Sequence, residues 1–350
     1  MHFASDNWAG AHPKIAQSLA SHASGFAPAY GASELDRKVE KKFSEIFERD
    51  VAIFFVATGT AANSLALTLV SRPGGVAFCH RESHVVEDEG GAPEYLSGGT
   101  RLHPVDGALG RIDPDDLLAK MAHFDPQFVH SGQPVAISIT QSTEIGTVYS
   151  LDEIEAIGAI CREKGLPLHM DGARFANALV ALGATAAEMT WKRGVDLLSF
   201  GGTKNGCWCA EAIVVLDPGR AREMPFIRKR AAQLFSKSRF IAAQFDAYFA
   251  DDLWLDTARH SNAMADRLAR HVENSSNMRL AWKPQANEVF ALITVSTAET
   301  LQSKGVKFHE WKTPAGFEAS GMKTDEKLWR FVTSFATTED DIEAFGRLVR

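Results

Sequence analysis

Three side chains stand where apolar runs end, and together they could carry one reaction. Lys204 follows the run DLLSFGG (196–202), with Gly201 and Gly202 before it and Gly206 after it. A lysine on a surface turn needs no such glycines, whereas an amine that must enter a crowded site and swing aside there could use them. Desolvated or set beside other cations, a lysine gives up its proton more readily, and the free amine can form a Schiff base. The run LPLHMDGA (166–173) holds Asp171 near its end. A carboxylate buried there is costly unless a cation meets it. Arg174, three residues on, could be that cation. Alternatively, Asp171 meets a protonated ring nitrogen of a cofactor, and the guanidinium fork of Arg174 faces a substrate carboxylate. The first apolar run, VAIFFVA (51–57), leads into TGTAAN (58–63). There Gly59 permits close backbone approach, Thr60 offers a hydroxyl, and the start of a helix supplies free N–H donors. That segment is either an ordinary helix cap or a phosphate cradle.

In combination the three features select a chemistry. A phosphate cradle, a strand-end carboxylate and a strand-end amine, in that chain order, are the contacts that pyridoxal 5'-phosphate requires. The phosphate is anchored, the pyridine nitrogen is kept protonated so that the ring can take up electrons, and the aldehyde is held as an imine.

The elements that must position these groups are legible as short apolar runs alternating with helical stretches. VAIFFVAT (51–58) precedes a helical TAANSLALTLVS. PVAISITQ (134–141) precedes SLDEIEAIGAICREKG, with a capping box at Ser150 and Glu153 and a C-cap at Gly165. LPLHMDGA, VDLLSFGG (195–202) and AEAIVVLDP (210–218) read as further buried strands. Such runs indicate an α/β fold with a largely parallel sheet covered on both faces, and ligands bind such sheets at the carboxyl ends of the strands. After about residue 245 the pattern changes to a polar helical stretch, three short strands near 290–295, 307–311 and 328–335, and a terminal helix. The expected division is an N-terminal arm (1–30), a large cofactor-binding domain (31–245) and a small α+β domain (246–350).

Composition sets the remaining bounds. At 350 residues, one hydrophobic core is exceeded and two domains are the expectation. The formal net charge of −7 and the lack of a long basic block disfavour nucleic-acid and membrane-surface partners. Four cysteines in a chain of this length suggest reduced thiols. No basic region followed by an apolar core opens the chain, and no apolar run approaches a membrane span, so a cytoplasmic protein is expected.

The segments SDN (5–7), YGASELDRKVE from Tyr30, FFVATGTAAN, HVVEDEGG from His84, HMDGAR and SFGGTKNG resemble the low-specificity L-threonine aldolases, in that order and from about residue 3 to the C-terminus. The resemblance implies a fold-type-I pyridoxal-phosphate enzyme with a mostly parallel seven-stranded sheet. The implied reaction is retro-aldol cleavage of L-threonine, L-allo-threonine and related β-hydroxy-α-amino acids to glycine and an aldehyde. It implies Lys204 as the Schiff-base lysine and Asp171 as the partner of the pyridine nitrogen. Gly59, Thr60 and Thr203 would hold the phosphate, and His84 would stack on the ring near the substrate hydroxyl. Ser5, Arg174 and Arg330 would bind the substrate carboxylate. It implies a homodimer or homotetramer with active sites at the interface, and no metal. Two features depart from the family pattern. In QSTEIG (141–146), Glu144 occupies a place where many members carry a histidine, so the base for the hydroxyl proton is open. In RKRAAQLFSKSR (228–239), the phosphate contact is open among Arg228, Arg230 and Lys237. The alternatives to an aldolase are a β-eliminating lyase or aminotransferase on the same scaffold, or a non-catalytic phosphate-binding α/β protein.

Overall fold

The computed structural model describes residues 1–125, 127–315, 317 and 322–350. Among them, seven strands form one sheet: β1 (Ala52–Val56), β2 (Gly75–His80), β3 (Arg101–Val105), β4 (Gln133–Thr140), β5 (Leu168–Gly172), β6 (Val195–Gly201) and β7 (Glu211–Val215). Their spatial order is β1-β7-β6-β5-β4-β2-β3. The pairs from β3 through β2, β4 and β5 to β6 are parallel, and β7 runs antiparallel to both of its neighbours. The carboxyl ends of β1, β2, β4, β5 and β6 therefore share one edge with the amino end of β7. There Glu211 pairs in register with Val56 on one side and Gly201 on the other.

The strands that the apolar runs foretold are present, with β2 and β3 added. Every residue of β2 is buried, as expected of a strand covered on both faces. β3 carries Pro104 and lies at the sheet edge, where a missing ladder donor is tolerated. The helix α1 (Pro13–Ser21) packs on the helix Arg239–Phe249, and α2 (Glu34–Ile46), opened by a capping box between Ser33 and Asp36, packs on the sheet at β1 and β6. Two more begin at the sheet edge itself: α3 (Gly59–Val70) and the single turn α4 (His84–Glu87). The helix Leu151–Lys164 starts with the Ser150–Glu153 capping box and ends on Gly165 in the left-handed conformation, as its sequence required.

An aromatic cluster supports β6 from below. Phe43 of α2 meets Phe200 of β6 edge-on at 5.2 Å and Phe249 at 4.9 Å, and Trp254 lies 6.0 Å from Phe200. These rings are buried, and each such side chain contributes on the order of 2–3 kcal/mol by removal from water. The strand that delivers Lys204 therefore rests on a rigid floor.

A second, antiparallel sheet has the order β10-β11-β9-β8, built from β8 (Met278–Leu280), β9 (Glu288–Thr294), β10 (His309–Glu310) and β11 (Glu326–Val332). The helix Leu253–Glu273 connects the two cores. Its Leu253 and Trp254 pack with the large sheet, and its Met264, Leu268 and Val272 pack with the small one. The first residues of the chain return to this second sheet, where the Phe3 amide donates to Lys307 O and the Val332 amide donates to Phe3 O. No helix among the described residues is long and apolar enough to cross a membrane.

Candidate active site

A cavity of about 290 Å³ opens at the shared strand edge, and Gly59, Thr60, Asn63, His84, Asp171, Thr203, Lys204 and Glu211 all face it. At one end stands the N-terminus of α3. Thr58 caps it by accepting from the Ala61 amide at 3.1 Å. A Cβ on Gly59 would meet no protein atom within 4 Å, so packing does not demand glycine there. The space it leaves is the cavity, which suits an anion held against the free N–H groups of the first turn.

The glycines around Lys204 answer a need different from the expected room for a moving amine. A Cβ on Gly201 would sit 2.5 Å from Ala173 O, and one on Gly202 would sit 2.7 Å from Ala210 O. These two glycines let β6 close against its neighbours. Gly206, at φ +115°, ends the short 3-10 turn Thr203–Asn205 in a conformation that side chains rarely adopt. The lysine is thus fixed by backbone packing on both sides. Glu211, brought to the same edge by the reversed direction of β7, accepts from the Thr203 amide at 3.3 Å. Burial pushes its carboxyl up to about 7, against the hydrogen bonds from Thr203.

The floor is a chain of hydrogen bonds. Asp171 accepts from the Ala173 amide at 3.0 Å and from Asn63 Nδ2 at 2.9 Å. Asn63 Nδ2 also donates to Glu89 Oε1 at 2.8 Å, so one amide group separates two buried carboxylates. Glu89 Oε1 lies 2.9 Å from His84 Nδ1. This bond raises the His84 imidazole above its ordinary range, against the opposing effect of burial. Burial likewise raises Glu89. Below Asp171 on the same strand, His169 is enclosed between Ser138 and Ser199, and burial drives its imidazole down to about 3.

The far end is ionic. Arg174 pairs with Asp6, not with Asp171: its Nε donates to Asp6 Oδ2 at 2.7 Å and its Nη2 to Asp6 Oδ1 at 3.1 Å. The structural pairing considered for Asp171 is therefore replaced by one with the N-terminal segment. Arg174 Nη2 also lies 3.4 Å from Glu288 Oε1, while its Nη1 has no partner among the described residues. Asp6 takes a further bond from Asn287 at 3.1 Å. Burial alone would raise Asp6, but Arg174 and Lys204 hold it below the usual carboxylate range. Arg330 stacks 3.9 Å above the Trp311 ring and lies 3.5 Å from Glu288 Oε1; its Nε is buried without a partner.

Most of the sequence-derived site residues therefore converge. Gly59, Thr60, His84, Asp171, Thr203 and Lys204 line the cavity itself, and Arg174, Arg330 and Glu144 are near enough to Lys204 or to one another to shift charge equilibria. Ser5 is placed differently: its hydroxyl accepts from the Asn7 amide and it lines a separate surface hollow with Trp8, while Asn7 reaches the cavity. Arg228 donates to Phe55 O at 3.4 Å, and neither it nor the exposed Arg230 and Lys237 lines the cavity. Sequence reasoning passed over Asn63, Glu89 and Glu211. The first two stand inside the TGTAAN and HVVEDEGG segments, and their signal was a polar residue within a run already singled out.

With this geometry established, comparison with known proteins is decisive. The beta-eliminating lyase family matches residues 2–296. The chain belongs to that family. It is 37% identical over 348 residues to the low-specificity L-threonine aldolase of Pseudomonas aeruginosa, covering 99% of this chain and 96% of that relative. It is 39% identical over 307 residues to the enzyme of the same description from a Pseudomonas species, covering 88% of each. The threonine aldolase of Leishmania major superposes with a TM-score of 0.91 at 27% identity, over 99% of this chain and 98% of the other. The fold is the type-I α/β architecture of these enzymes, with a mixed seven-stranded sheet.

Proposed function

We propose that this member of the beta-eliminating lyase family is a pyridoxal-phosphate-dependent aldehyde-lyase that cleaves L-threonine, L-allo-threonine and related β-hydroxy-α-amino acids to glycine and an aldehyde. The observation that carries the reading is the convergence of Lys204, Asp171 and the N-terminus of α3 on one cavity. Those residues fit the cofactor: a cradle at Gly59 and Thr60 for the phosphate, an amine for the aldehyde, and a buried carboxylate for the pyridine nitrogen. When bound, the cofactor supplies a sink for the electron pair left at Cα.

The side chains divide the remaining work. Lys204 would hold the cofactor's aldehyde through its amine. Asp171, fixed by Asn63 and the Ala173 amide, would face the ring nitrogen and favour its protonated form. Thr203, which lines the cavity together with Thr60, would add a hydroxyl to the phosphate contacts. Arg174 presents Nη1, and Arg330 presents a guanidinium clamped on Trp311, to the substrate carboxylate. This orients the Cα–Cβ bond, and such positioning supplies much of the rate. His84, which lines the cavity, would stack on the ring near the substrate hydroxyl.

The exposed aromatic rings of Trp8, Phe26, Tyr30 and Trp208 support a homodimer or homotetramer, and four free thiols support a cytoplasmic setting. The test is product analysis with both threonine diastereomers. Glycine with acetaldehyde is expected; a keto acid with ammonia would instead assign a β-elimination.

A further inference from the structure

Glu144 is a buried carboxylate that the architecture leaves unemployed. It is 8% exposed, its oxygens receive no hydrogen bond and no ion pair from any described residue, and it lines a hollow that opens outward. Elsewhere in this site buried carboxylates are bonded: Asp6 to Arg174 and Asn287, Asp171 to Asn63, and Glu89 to Asn63 and His84. A carboxylate held at the wall of an open hollow with no partner among the described residues keeps its oxygens free to accept from a bound molecule.

Its placement is rigid. Glu144 sits at the tip of the turn that follows β4, closed by Thr143 N to Thr147 O at 2.9 Å and Gly146 N to Thr143 O at 3.0 Å. Thr143 and Thr147 also join through their hydroxyls at 2.7 Å. Gly146 has φ +71°, and a Cβ there would strike Glu288 Cβ at 2.9 Å, so the turn is seated against the carboxylate that lies between Arg174 and Arg330. Trp282 pins the neighbouring Ile145 carbonyl at 3.1 Å. Beyond Glu144 a second hollow of about 690 Å³, bordered by Val86, Ile145 and Trp311, opens outward. Glu144 lines this hollow and is near enough to Lys204 and His84, which line the cofactor cavity, for their charges to act on it.

Resting on the aldolase reading, we infer that Glu144 is the catalytic residue that accepts the proton of the substrate β-hydroxyl. The O–H bond breaks and the proton passes to a Glu144 oxygen. The oxygen's electron pair forms the aldehyde C=O as the Cα–Cβ bond breaks. The pair from that bond remains at Cα, withdrawn into the bound cofactor, until a proton returns to that carbon. His84, whose Nδ1 is tied to Glu89, is then a positioning and donor group beside the hydroxyl. Charges of both signs surround Glu144: burial would raise its carboxyl, but Lys204, Arg174, His84 and Arg330 together hold it below the usual range, while Glu288 opposes them and Glu82, Glu87, Asp88 and Glu310 line the same hollow with Arg81 and Lys312. The two arginines keep their charge throughout the cycle, so Glu144 stays ionised at neutral pH.

The test compares Glu144→Gln and Glu144→His with the parent holoenzyme. Cleavage of L-threonine by Glu144→Gln is expected to fall about 10²- to 10³-fold in kcat, within the range for loss of a general base. Exchange of the glycine α-hydrogen in heavy water, which involves no hydroxyl proton, is expected to stay within about threefold of the parent, in keeping with a group that acts on the hydroxyl alone. In Glu144→His, cleavage is expected to recover in part, with its acid limb moved up by about two units, from carboxylate toward imidazole titration. Cleavage by Glu144→Gln within threefold of the parent would overturn the inference, as would an equal collapse of cleavage and exchange. If the parent releases no aldehyde from either diastereomer, the aldolase reading itself fails, and that result is independent of the variants.

Discussion

The floor of the cavity and its ionic end hold buried charge in opposite ways. On the floor each carboxylate is bonded to a neutral donor or an imidazole, and Asn63 places one amide between Asp171 and Glu89. At the ionic end Asp6, Arg174, Glu288, Arg330 and Glu144 crowd together as full charges. Both regions keep orphan atoms, Asn63 Oδ1 and Glu89 Oε2 on the floor and Arg330 Nε and Glu288 Oε2 at the ionic end, so the difference lies in the kind of partner and not in how many are satisfied. Neutral donors on both oxygens of Asp171 fix that carboxylate, as the proposed contact with a ring nitrogen requires. Clustered charges of both signs suit the proposed binding of a substrate carboxylate that arrives and leaves on every turnover.

The comparison can be broken first at its most ionic pair. Asp6→Ala strips Arg174 of its bidentate partner and leaves a charge buried; such losses typically cost about 3–5 kcal/mol. Denaturant unfolding of the apo-protein should show this at neutral pH. Because Asp6 is held below its ordinary range when folded, its stabilisation is present above pH about 4 and is lost as acid protonates it, so the variant and parent should converge at low pH. Asp171→Asn attacks the floor instead. The single amide oxygen can accept from Asn63 or from the Ala173 amide but not from both, so a modest loss of stability is expected, while loss of the charge proposed to steady the ring proton should lower kcat about 10²- to 10³-fold. Steady-state kinetics with threonine at saturating cofactor checks it.

Glu211 sharpens the contrast, because it is a carboxylate set beside a phosphate cradle. With a folded-state value of about 7 against 4.5 for the ordinary group, the folded protein binds the extra proton between those values. The folded state is therefore penalised progressively as pH rises from 4.5 to 7, by about 3 kcal/mol at the upper end. Glu211→Gln should leave apo-protein stability unchanged at pH 4.5 and raise it by up to about that amount at pH 8, read from unfolding curves at the two values.

The same contrast explains what the sequence disclosed. Lys204, Asp171, Gly59 and Thr60 were legible because each stands at the end of an apolar strand, and local pattern reports strand ends. β2 was buried in a short run after a proline–glycine turn, and β3 was masked by Pro104 at a sheet edge. The Asp6–Arg174 pair joins residues 168 apart, and Trp311 meets Arg330 only because β10 and β11 are neighbours. No local signal marks such contacts. Glu211 entered the site through the reversed direction of β7, which an apolar run does not encode.

The proposed chemistry requires Lys204 to hold the cofactor. Reduce the holoenzyme with borohydride, digest it and locate the modified residue by mass, alongside Lys204→Ala carried through the same steps. A single pyridoxyl-bearing peptide containing Lys204 is expected, with no visible absorbance and no glycine release in the variant. A modified lysine elsewhere, or a variant that keeps both its colour and its threonine cleavage, would contradict the account.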